Sequence, residues 1–130
     1  MRFANIEEYY EHYREHGEAT PEVGDPATLN IGTDHYPYRI VRVANSRLWA
    51  VGLDFKMAEG GNWYRVQDWD VDGTVRAHVP EEMFTFRKPK HTFEDLARST
   101  RPERGKWRPK GSDYGSLTIG IWNVRLDPGF

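Results

Sequence analysis

The chain reads as a mainly β protein, α+β at the margin: a small SH3-like or related β-barrel with one N-terminal helix and a short helical insertion. Three observations predict this. About seven short strand-like segments follow one another at close spacing between turn residues. Aromatics make up 14% of residues against a modest 38% hydrophobic total, so a few large rings supply core area that aliphatic side chains do not. The glycine turn at Val23-Gly24-Asp25, followed by the Tyr36-Pro37-Tyr38 strand, is how many small barrels open. With 130 residues, a single domain spanning 1–130 is expected.

Ile6 to His16 has the marks of a short helix. Asn5 is placed to cap it, Glu7 and Glu8 occupy the first turn, and Gly17 follows the end. Ile6, Tyr9, Tyr10 and Tyr13 fall at helical spacing and form a tyrosine-rich face. Residues 18–26, with two prolines and a glycine, connect this helix (5–17) to a β core over 23–88 and 105–124.

Ala27 to Gly32 and Tyr36 to Ala44 are strands around a Gly-Thr-Asp-His turn. Alternation slips near Val41, between Arg39 and Arg42, which predicts a bulge or strong bend. Arg47 to Phe55 is apolar on both faces, the pattern of a strand inside a closed or layered sheet. Asp72-Gly73 predicts a tight hairpin between Trp63–Val71 and Thr74–Val79. Met83 to Lys88 is a further strand. Residues 89–104 form an inserted loop and short helix, with Thr92-Phe-Glu-Asp95 in capping-box form. Lys106 to Arg108 and Ser116 to Val124 complete the sheet.

Composition excludes several classes. With no cysteine there is neither a disulfide framework nor a thiolate metal site. No apolar run has the length of a signal peptide or a membrane span, so a cytoplasmic protein with no membrane partner is expected. His12-Tyr-Arg-Glu-His16 matches an inverted zinc-protease pattern, but such chemistry needs a third ligand and a deep cleft; two solvent-facing histidines are expected instead. Asp68 to Gly73 resembles the first half of a calcium loop. Its twelfth position is Val79 and its ninth Arg76, which predicts an acidic hairpin edge without metal. Neither a nucleophile elbow nor a phosphate loop is present. The expectation is a protein that is not an enzyme and carries no cofactor.

The net charge of -2 hides a division. Residues 1–82 carry eight basic and fifteen acidic groups, and 83–130 carry ten and five. Between Phe84 and Gly111 nine Lys or Arg face three acids, with Trp107 among them. Basic groups interleaved with rings are what phosphates and a stacked base require. Arg87, Lys88, Lys106, Arg108 and Lys110 are therefore the candidate phosphate ligands, with Trp107 or Tyr114 stacking on a base. The expected ligand is a nucleotide second messenger or short nucleic acid. A small messenger needs enclosure, which suits a homo-oligomer. The contrasting reading is an inhibitor that captures a host protein through Tyr9, Tyr13, Trp63 and Trp69 beside the acidic stretch from Asp54 to Glu82.

Three stretches, GDPATLNIGTDHYPYRIVRV (24–43), FTFRK (84–88) with GKWRPKG (105–111), and LTIGIW (117–122) through DPGF (127–130), together resemble a family of small uncharacterised bacteriophage and prophage proteins. The resemblance implies an accessory protein in a host bacterial cytoplasm, of a kind that often antagonises host defence by binding. It implies no site residues.

Overall fold

A computed structural model describes residues 1–57, 69–75, 85–87, 106–111 and 114–125; for 54–57, 69–75, 85 and 87 it describes the backbone alone. Helix α1 spans Ile6–His16. It starts where Asn5, extended, accepts a hydrogen bond from Glu8 N at 2.9 Å, while the Glu8 carboxylate accepts one from Ala4 N at 3.0 Å, a reciprocal arrangement close to a capping box. It stops at Gly17, whose N–H donates to Tyr13 O at 2.9 Å. Of the expected tyrosine face, Tyr9 is buried and Tyr10 is exposed, so the face is narrower than the spacing predicts.

Strands β1 (Pro26–Ile31), β2 (Asp34–Val43), β3 (Arg47–Met57), β4 (Trp69–Val75), β5 (Thr85–Arg87), β6 (Arg108–Pro109) and β7 (Ser116–Ile119) form an antiparallel sheet in the order β6-β5-β3-β2-β1-β7, with β4 on the distal half of β3. The protein is thus mainly β with one helix among the described residues. The two ends of this strand path touch at one bridge, where Leu117 N donates to Trp107 O at 2.9 Å.

The turn between β1 and β2 is tighter than predicted. Ile31 pairs with Asp34, leaving Gly32 and Thr33 as the loop, and Gly32 has φ 58°, as two-residue hairpins require. The irregularity predicted near Val41 is present as a register shift between Ile40 and Arg42.

The hairpin predicted at Asp72-Gly73 is not formed, since both residues lie within β4. Their place is a bulge: Leu53 pairs with Val75 and Phe55 with Val71, so β4 has the longer run between the same two rungs. Glycine tolerates a bulge as readily as a turn. The inserted segment 89–104, Lys88, Trp63, Asp68 and the flanks of β4 lie outside the described residues.

Strand β7 ends at Ile119, short of the predicted Val124, because Gly120 turns the chain with φ 96°. A Cβ there would lie 2.7 Å from Met1 O and 2.9 Å from the Phe3 ring, so only glycine fits. Beyond it, the buried Thr28 hydroxyl donates to Ile121 O at 2.8 Å and accepts from Asn123 N at 2.9 Å, tying residues 121–123 across β1.

The core lies on the inner face of the sheet. Ala27, Leu29, Tyr38, Ile40, Leu48, Ala50, Phe86, Trp107, Leu117 and Ile119 form one cluster, in which the Tyr38 and Phe86 rings meet edge to face at 6.3 Å. On β3, Leu48 and Ala50 are buried while Trp49 and Val51 are only half-buried. The strand expected to be covered on both sides is covered on one along 48–51, which leaves an outer face there, and on both at 52–53, where Gly52 and Leu53 are buried in succession.

Candidate anion-binding face

Strand pairing sets three arginines in line. Arg47 pairs with Arg87, and Arg87 with Arg108. The adjoining rung, Leu48 to Phe86 to Pro109, belongs to the inner side, since Leu48 and Phe86 are fully buried. Strand alternation therefore assigns positions 47, 87 and 108 to the outer face. Directly opposed partners in antiparallel strands have Cα atoms about 4.5–5.5 Å apart, so the row is about 10 Å long. Like charges opposed in this way destabilise a sheet.

Two residues along β3, on the same face, stands Trp49, in register with Arg42 and Thr85. The exposed Arg42 lays its guanidinium over the indole, with Cζ 4.3 Å from the ring centroid. Two residues further, Val51 pairs with Arg39, whose Cζ is 5.7 Å from the Trp122 ring. Trp122 is held by its own Nε1–H donating to Tyr38 O at 2.8 Å.

At the other end of the row Arg108 Nη1 donates to Gly115 O at 3.3 Å, which anchors the 114–115 segment beside the guanidinium. Tyr114, 65% exposed, adjoins this contact, and Lys110 is exposed nearby in sequence. Of the residues singled out from the sequence, Arg108 and the backbone position of Arg87 thus lie on the face, while Lys110 is near it in sequence and the Tyr114 hydroxyl lies against Gly32 of the β1–β2 turn.

Two of them do not. Trp107 is 6% exposed and belongs to the core, because β6 alternates and Trp107 takes the inward position bridged to Leu117; it is not a stacking ring. Lys106 is turned under α1. Its ammonium lies 3.2 Å from Thr118 Oγ1 and 5.2 and 5.5 Å from the Tyr9 and Tyr13 rings, so it is not a phosphate ligand.

Lys106 there belongs to a second polar cluster, between α1 and the outer side of β7. The partly buried Glu18 accepts the Tyr9 hydroxyl at 2.7 Å, Ala19 N at 3.1 Å and Ile119 N at 3.4 Å. Thr118 Oγ1 also accepts Asn30 Nδ2 at 2.9 Å. Desolvation pushes the Glu18 carboxyl up to about 7, against the pull of Lys106 and these hydrogen bonds. Desolvation likewise lowers the Lys106 ammonium, with Glu18 opposing the shift, and burial plus the Glu18 charge raise the Tyr9 phenol. For both members of the pair the cost of leaving water exceeds their attraction.

Other expectations find their place here. Tyr9 is fully buried, which removes one of the four rings proposed as anchors for a host protein; Tyr13 is half-buried, and for Trp69 only the backbone is described. Of the two histidines expected to face solvent, His16 is exposed but His12 is half-buried, its ring 5.4 Å from Phe3. Among the described residues, no group of three metal-ligating side chains converges. Nor is any described helix long and apolar enough to cross a membrane.

No family model, curated protein or solved structure matches the chain.

Sequence reasoning missed Arg39, Arg42, Arg47 and Trp49 because they lie in the acidic portion of the chain. Their signal was register. Arg39 and Arg42 interrupt the β2 pattern, and only pairing β2 with β3 and β3 with β5 shows which basic segment they join.

Proposed function

We propose that the protein is a non-enzymatic binder of a phosphate-bearing anion, a nucleotide or short nucleic acid, held on the outer face of β2, β3, β5 and β6. The observation that carries this is the register row Arg47–Arg87–Arg108. Like charges in register on adjacent strands repel, and an anion relieves that repulsion. Guanidinium groups suit phosphate because their planar fork donates in pairs. In the phage setting implied by the sequence resemblance, such a face serves to occupy or sequester nucleic acid or a nucleotide signal of the host.

The bridge between the ends of the strand path, Trp107 to Leu117, with the Arg108–Gly115 and Lys106–Thr118 hydrogen bonds beside it, supports reading the sheet as a partly closed small barrel of SH3-like type. Closure of that kind curves the sheet and presents the arginine row on its convex side. A small messenger would need a second copy of the chain to enclose it, whereas a longer anion lies across the row of one copy.

Titration with inorganic polyphosphate at several salt concentrations tests the reading. Arg47→Glu and Arg87→Glu are each expected to weaken binding at least tenfold and to reduce the dependence of log affinity on log salt by about one unit or slightly less. Melting temperature should stay close to that of the parent protein. Reversals that leave affinity unchanged in a folded protein overturn the proposal.

A further inference from the structure

We infer that the ligand is single-stranded nucleic acid, and that Trp49 with Arg42, and Trp122 with Arg39, are the two stations where its bases stack. The inference rests on the anion-binding reading above and gives its ligand class.

A face that meets phosphate alone needs cations alone. This one alternates. The arginine row crosses β3 at position 47, an indole follows two residues on at Trp49, and a second guanidinium–indole pair follows at Arg39 and Trp122. Residues two apart on a strand are separated by about 6.5–7 Å on one face, a reach that fits a nucleotide's phosphate at one position and its base at the next. Both indoles are half-buried, so each ring is fixed by the sheet yet retains open surface. Trp122 is fixed further by its bond to Tyr38 O.

Each indole already carries a guanidinium, at 4.3 Å for Arg42 and 5.7 Å for Arg39. A planar cation on an aromatic ring shows that the ring accepts a flat, electron-poor partner, which a nucleobase also is. Arg42 is exposed, so it is free to slide from the indole to a neighbouring phosphate or to cover the base from its other side. A rigid duplex hides its base faces, and offers phosphates only. A mononucleotide would use one station and leave the other empty. A single strand uses both stations and the arginine row that precedes them along β3.

The test compares, by fluorescence anisotropy at fixed salt, a labelled thymidine oligonucleotide about ten nucleotides long, an abasic strand with the same phosphates, the corresponding duplex, and thymidine monophosphate. The thymidine strand is expected to bind at least about tenfold more tightly than the abasic one and than the duplex. Trp49→Leu should remove about that factor for the thymidine strand and none for the abasic strand, with Trp49→Phe restoring most of it. Arg42→Gln, at an exposed position, provides a second variant should Trp49→Leu fold poorly; it should weaken the thymidine strand more than the abasic strand. Equal affinity for thymidine and abasic strands overturns the inference and leaves a plain anion-binding face. Tighter binding of the duplex or of the mononucleotide overturns it as well. Absence of binding to all four probes overturns the anion-binding reading along with it.

Discussion

Two regions on the same side of the sheet treat charge in opposite ways. Under α1, Glu18 and Lys106 are drawn out of water and given partners: the Tyr9 hydroxyl, two backbone N–H groups and the Thr118 hydroxyl. On β3, β5 and β6, Arg47, Arg87 and Arg108 stand opposite one another in register. The first arrangement resolves its charges within the fold, and what it supplies is attachment of the helix. The second sets like charges in register on adjacent strands, an arrangement that an external anion would relieve. The density of basic residues along the chain does not separate the two, since Lys106 and Arg108 are two positions apart and belong to different regions.

The largest effect expected from this division is at Tyr9. Its side chain is fully buried between α1 and β7, and its hydroxyl is the shortest partner of Glu18. Tyr9→Ala should cost about 3–5 kcal/mol in denaturant unfolding through lost packing and the loss of the hydroxyl that Glu18 accepts. Affinity of the folded variant for polyphosphate, measured well below its melting point, should be unchanged within about twofold. A variant that keeps its stability but loses ligand would place α1 in the binding site and erase the distinction.

A smaller effect separates the regions by pH. The Glu18 carboxyl titrates near 7 in the folded protein against a reference of 4.5, because burial disfavours its charge. The folded state then holds a proton that the unfolded state releases between these values. Stability from this group is complete below about pH 4.5 and is lost as pH rises through about 7, by at most about 3 kcal/mol. Glu18→Gln keeps an acceptor for Tyr9 and removes the titration. Unfolding free energies of parent and variant measured from pH 4 to pH 8 should therefore diverge steadily across that window, and curves that run parallel would show that Glu18 is charged in the fold. Binding at the arginine face should not follow this transition.

Much of the fold was legible because it depends on local chemistry. Asn5, Glu8 and Gly17 fix the ends of α1 by hydrogen bonds within a turn, and the slip near Val41 shows in the order of β2 residues alone. Asp72-Gly73 was misread because one backbone preference serves a turn and a bulge equally, and pairing with β3 decides between them. The site was legible by half. Arg87 and Arg108 stand in the conspicuous basic segment, but Arg42, Arg47 and Trp49 reach the same face only through contacts between strands distant in sequence. The inward turn of Trp107 and the placement of Lys106 under α1 follow from which side of the chain there faces the core and which lies under the helix. No spacing along the chain encodes that.

The smallest effect is also the one that separates a functional face from a merely solvated one. If the row Arg47–Arg87–Arg108 is held against its own repulsion, then Arg47→Ala removes one repulsive term and should raise stability by about 0.2–1 kcal/mol, or leave it unchanged, in low-salt buffer without polyanion. The gain should shrink in high salt, where exposed charges are screened. Saturating polyphosphate should reverse the order, because the parent protein binds more tightly and is stabilised more by mass action. Melting curves of the two proteins, with and without ligand, give both comparisons in one experiment. Lower stability of Arg47→Ala in the absence of ligand would mean that Arg47 has an attractive partner within the fold. The arginine row would then resemble the Glu18 cluster, and the contrast between the two regions would disappear.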